Sequence, residues 1–116
     1  MNNQEVKIIS KIIRELSHYV MIHGYKNYTL ETRIEEKVTY FKLSIQNPSK
    51  AMLEKMKEKV SRERELEVET YGWELIGDID EKTELEILGL LIDEMVIEKK
   101  EDMTHITLIR ESRYKE

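Results

Sequence analysis

The sequence predicts an α+β two-layer sandwich: a four-stranded sheet made of two hairpins, with helices packed on one face. Two observations predict it. Apolar residues recur at three- and four-residue spacing in some stretches and alternate in others. Those stretches follow the order α, β-hairpin, α, α, β-hairpin, in which the strands bury one face under the first and third helices. Length sets the scale, because 116 residues suit one domain, spanning 1–116, with one core.

The first helix is expected from Glu5 to about His23. Ile9, Ile12, Ile13, Leu16, Tyr19, Val20 and His23 form its apolar stripe, and Lys7, Lys11, Arg14 and Ser17 fall mostly opposite. Gly24 follows as a C-cap. Tyr25 to Gln46 reads as a hairpin. Tyr28, Leu30, Thr32 and Ile34 share one face, Thr39, Phe41, Leu43 and Ile45 another, and the turn falls at Glu35-Glu36. Asn47-Pro48-Ser49 breaks the chain, and Ser49 can cap a second helix from Lys50 with Met52, Leu53, Met56 and Val60 as its stripe.

Arg62 to Glu69 is nearly all charge, and Tyr71 to Gly77 reads as an ordered loop with two glycine bends. Asp78 or Asp80 can cap a third helix from about Glu81 to Met95, with Leu85, Leu88, Ile92 and Met95 as its stripe. Val96–Lys100 and Thr104–Arg110 then form the second hairpin around Glu101-Asp102, and residues 110–116 are expected to fray.

Composition excludes several classes. Lys+Arg is 19 against Asp+Glu 24, a net charge of -5, so there is no general case for nucleic-acid binding. With no cysteine, disulfides, thiol catalysis and cysteine-based zinc sites are excluded. The first residues lack the layout of a signal peptide, and no apolar run approaches the ~20 residues that cross a bilayer. A cytoplasmic protein without a membrane role is the expectation. Acidic residues concentrate in 65–102 and basic ones in 1–64. That asymmetry either steers a partner or is a solvated acidic surface.

Two stretches carry a resemblance. Glu15-Leu16-Ser17-His18-Tyr19-Val20-Met21-Ile22-His23-Gly24-Tyr25 is similar to E-x-x-x-N-x-x-x-H-G-Y, the first-helix motif of anti-sigma-factor serine kinases. Leu91-Ile92-Asp93-Glu94-Met95-Val96-Ile97 resembles their L-M-D-E-V-E-Y. With the element order, the likeness covers roughly residues 5 to 110 and implies the GHKL ATPase fold, which these kinases share with histidine kinases and DNA gyrase.

The departures fall on the nucleotide contacts that the family implies. Tyr19 stands where the family has the Asn that holds Mg²⁺ against ATP. Asn47 stands for the adenine-binding Asp of D-x-G-x-G, with Ser49 and Ala51 replacing its glycines. Lys82-Thr83-Glu84 occupies the place of the G-x-G that cradles phosphate, where Glu84 would repel it. The resemblance therefore implies a vestigial nucleotide pocket at Glu15, Tyr19, His23, Asn47, Ser49 and Glu84, without catalytic residues.

Each candidate has a plainer alternative. Glu15 as a general base needs a positioned nucleophile; otherwise it pairs with a nearby Lys or Arg. His18 and His23 are five apart, not the four of H-E-x-x-H, so no metal site is expected and His23 caps or packs the helix end. Tyr19, Tyr25, Tyr28 and Tyr40 can stack on a flat ligand or line the core. Met52 and Met56, on what would be the ATPase lid, can face a partner or fill the core. Tyr71 and Trp73 can anchor an interface or plug the core edge.

The function expected is a regulatory protein-interaction module, a pseudo-ATPase without cofactor. Its partner is a protein, met through Met52, Met56, Tyr71 and Trp73; homodimerisation suits so small a domain, and neither nucleic acid nor membrane is expected. The alternatives are a divergent ATP- and Mg²⁺-dependent serine kinase of the anti-sigma type, or a small-molecule sensor using the vacated pocket.

Overall fold

The structure is a computed structural model and describes residues 3–60 and 84–112. The first helix, α1 (Asn3–Ile22), leads into β1 (Tyr28–Ile34) and β2 (Val38–Gln46). Helices α2 (Lys50–Val60) and α3 (Glu84–Leu91) follow, then β3 (Glu94–Lys100) and β4 (Met103–Glu111). The sheet is open and antiparallel, in the order β1-β2-β4-β3. The two hairpins therefore join through their second strands, a non-local pairing that places Phe41 opposite Leu108 and Leu43 opposite Ile106.

Alternation decides the faces. Phe41, Leu43, Ile45, Ile106 and Leu108 are fully buried and point to the helices. Against them pack Ile8, Ile12, Leu16 and Val20 of α1, Met52, Met56 and Val60 of α2, and Leu85 and Leu88 of α3. All of the described helices thus share one side of the sheet, with α3 packed against both α1 and α2. That α3–α2 contact depends on Gly89, where a Cβ would collide with the carbonyl oxygen of Lys59.

The end of α1 follows from Gly24, whose φ is +86°. Gly24 N–H donates to Met21 C=O at 3.0 Å and Tyr25 N–H to Val20 C=O at 3.3 Å. That pair of bonds is a Schellman motif, which uses a left-handed residue to satisfy carbonyls the helix leaves open. It turns the chain so that Tyr25 packs on the core.

Three expectations need correction. The third helix does not run on to Met95: the described helix is Glu84–Leu91, and Met95 lies in β3, while the expected start at Glu81 lies outside the described residues. Strand β4 captures the chain there. Leu91 C=O accepts a bond from Arg110 Nη1 at 2.8 Å, and Asp93 N–H donates to Ile109 C=O at 2.9 Å. The apolar spacing Leu88-Ile92-Met95 satisfies a helix and a helix-to-strand junction equally well, so periodicity alone misplaces the boundary. Second, fraying does not begin at 110, because β4 extends to Glu111 and Ser112 N–H bonds Lys37 C=O at 2.9 Å. Third, α2 joins α1 and α3 as a full part of the core.

The second correction has an energetic basis. Arg110 is 0% exposed and its guanidinium grips Glu5 of α1, Nε to Oε1 at 2.7 Å and Nη2 to Oε2 at 3.0 Å. With the Leu91 bond, one side chain ties the first turn of α1, the end of α3 and the last strand together. Paired, hydrogen-bonded charge is the condition under which burial of a charge is tolerated.

Candidate functional site

The residues nominated from sequence lie along α1 and the β2–α2 junction. Glu15 is buried and pairs with Lys11 Nζ at 2.8 Å, one turn away. Tyr19 is 3% exposed and belongs to the core. Its ring lies 4.3 Å from the His23 ring, tilted by 48°. His23 Nδ1 is 2.9 Å from Tyr19 C=O. A carbonyl only accepts, so Nδ1 carries the proton and His23 caps the C-terminal end of α1.

Ser49 begins α2 in the manner its sequence suggests. Its Oγ accepts from Met52 N–H at 3.1 Å, an N-cap. Its own N–H donates to Tyr25 Oη at 2.8 Å, joining the start of α2 to the end of α1. Asn47 has φ +45° and its N–H donates to Asp102 C=O at 2.8 Å, in the β3–β4 turn. These contacts pair Tyr19 with His23 and Tyr25 with Ser49. Glu15 stands a turn further back on α1, and Glu84 is the first residue of α3.

Met52 and Met56 are 3% and 0% exposed. They fill the core between α2 and the sheet, and in this structure they are not offered to a partner. Tyr71 and Trp73 lie outside the described residues, as do Asp78, Asp80, Lys82 and Thr83. Among the described residues no group of three His, Asp or Glu could hold a metal ion.

A cavity of about 290 Å³ lies elsewhere, on the face of the sheet opposite the described helices. Glu31 and Arg33 of β1, Tyr40 and Lys42 of β2, His105 and Thr107 of β4, and Val96 and Glu98 of β3 line it. None of the residues nominated for a nucleotide pocket is among them. Cross-strand register arranges this face in rows: Ser44 beside His105 beside Glu98, Glu31 beside Lys42 beside Thr107 beside Val96, and Arg33 beside Tyr40 beside Ile109 beside Glu94. The Arg33 guanidinium sits 4.6 Å above the Tyr40 ring, a cation–π contact. Ser44 Oγ and His105 Nδ1 are hydrogen-bonded at 2.7 Å.

A serine beside a histidine invites a catalytic reading, but Ser44 is 8% exposed in mid-strand. Its neighbouring backbone groups lie within the β1 and β4 ladders, so they are poorly placed to hold an oxyanion. The pair fixes the histidine ring in place. The face as a whole offers charges of both signs around an aromatic and aliphatic centre, which suits binding. Sequence reasoning reached Tyr40 and missed the grouping, because the pairing of β2 with β4 decides it. It also missed Glu5 and Arg110, although both fall on inward positions of their own periodic patterns.

No family model matches this chain, and no curated protein or solved structure does either.

Proposed function

We propose that this protein is a non-catalytic regulatory module that acts by binding a protein, built on a GHKL ATPase-like scaffold whose nucleotide contacts have been replaced by structural side chains. One observation carries the reading. Tyr19, at the position where the resembling kinases hold Mg²⁺, is a packed core residue with its ring against that of His23. Two neighbours support it. Ser49, in place of a glycine that admits the nucleotide, caps α2 and bonds Tyr25. Glu15, in place of the acidic residue near the γ-phosphate, is occupied by Lys11.

On this reading the protein takes no cofactor. The test is hydrolysis of ATP by the pure protein with Mg²⁺. No turnover above a heat-denatured sample is expected. Mg²⁺-dependent turnover abolished by Glu15→Ala would overturn the reading in favour of a divergent kinase.

A further inference from the structure

We propose that the Tyr25 hydroxyl is a strap between two helix ends, so that the last turn of α1 and the first turn of α2 open and close as one unit. The inference goes beyond the proposed module and does not rest on it, because its test reads backbone opening and neither nucleotide nor partner.

Strand register brings the two ends together. The β1–β2 ladder closes with Tyr28 opposite Ile45, so the chain entering β1 and the chain leaving β2 run side by side. Tyr25 and Ser49 are therefore neighbours although 24 positions separate them. Gly24 sets the direction: its φ of +86° turns the chain, and the Tyr25 ring packs on the core. The hydroxyl then stands 2.8 Å from Ser49 N.

The needs of the helix start give that contact its weight. A helix leaves its first four amides without acceptors inside the helix. Ser49 N–H goes to the Tyr25 hydroxyl, and Met52 N–H goes to Ser49 Oγ at 3.1 Å. Leu53 N–H then donates to Ser49 C=O at 3.2 Å. Pro48 has no N–H to offer, and Asn47 N–H is spent on Asp102 C=O. On the other side, Tyr25 N–H closes the Schellman bond to Val20 C=O at 3.3 Å. Tyr25 thus closes the end of α1 with its backbone and the start of α2 with its side chain.

Helix ends open locally at a cost far below that of global unfolding. Releasing the last turn of α1 moves the Tyr25 backbone, and the hydroxyl leaves Ser49 with it. Releasing the first turn of α2 carries Ser49 N–H away from the hydroxyl and takes from Tyr25 the contact that holds it. Coupling of this kind is reciprocal: whatever holds one end closed holds the other.

Amide hydrogen exchange of the full chain, resolved by residue with NMR, tests the strap from both ends. Gly24→Ala strains the end of α1 and is read at the Met52 and Leu53 amides. Ser49→Ala loosens the start of α2 and is read at the Gly24 and Tyr25 amides. Each is made in the wild type and in Tyr25→Phe, which keeps the ring and removes only the hydroxyl. With the hydroxyl present, each variant should speed exchange at the opposite end about fivefold, the shift that one net hydrogen bond supplies. In Tyr25→Phe both of these cross-effects should disappear. Cross-effects that persist at full size without the hydroxyl overturn the proposal, because general destabilisation then carries them. So does their absence in the chain that keeps Tyr25. Circular dichroism checks folding; if Gly24→Ala does not fold, Ser49→Ala decides between the same outcomes in the two backgrounds.

Discussion

Replacing Glu5 by alanine should be among the most damaging single changes on α1. The substitution removes a side chain that is 3% exposed and leaves the guanidinium of Arg110, 0% exposed, without its bidentate carboxylate. Two charge-assisted bonds at 2.7 and 3.0 Å are lost. Breaking a buried pair in this way costs about 3–5 kcal/mol, against a total stability of roughly 5–15 kcal/mol for such a domain. At ~4 °C per kcal/mol, the melting temperature should fall by about 12–20 °C. Glu5 also sits in the first turn of α1, where a carboxylate adds a smaller dipole benefit.

The assay is urea unfolding followed by circular dichroism on four proteins: wild type, Glu5→Leu, Arg110→Met and the double variant. Each single change should be severe. The double change should recover most of the loss, because apolar replacement of a whole buried pair is often neutral or better. A coupling energy of several kcal/mol follows. A cost under ~1 kcal/mol for Glu5→Leu, the value typical of an exposed pair, would refute the reasoning.

Three further outcomes are expected. Gly89→Ala pushes a methyl group into the Lys59 carbonyl and should cost about 1–3 kcal/mol by separating α3 from α2, measured as a lower urea midpoint. Gly24→Ala has open space around its Cβ but must hold φ at +86°; it should cost about 1 kcal/mol through backbone strain alone, with no change in the core. Ser49→Ala removes the α2 N-cap and should cost about 1 kcal/mol, while Ser49→Asp should retain most of the stability.

Local patterning made much of this fold legible. Ile9, Ile12, Leu16 and Val20 on a helical stripe, and Phe41, Leu43 and Ile45 in alternation, report burial directly, since each residue's side follows from its own segment. What escaped was set between segments. The limit of α3 depends on Arg110 and Ile109, residues far along the chain that take the Leu91 carbonyl and the Asp93 amide. The rows on the face opposite the described helices depend on β2 lying beside β4. Met52 and Met56 were ambiguous because a thioether suits a core and an interface equally well. At the nominated nucleotide position the residue types were readable and their contacts were not. Nothing in the sequence says that Tyr19 packs against His23 or that Ser49 bonds Tyr25.

The claim at the centre of this account is that packing and capping have replaced nucleotide contacts along α1 and at the start of α2. Calorimetric titration of the pure protein with ATP and with ADP, each with and without Mg²⁺, tests it most directly. The account predicts no binding heat under any of the four conditions. Micromolar affinity that depends on Mg²⁺ would contradict it and place a working nucleotide site where Tyr19 now packs.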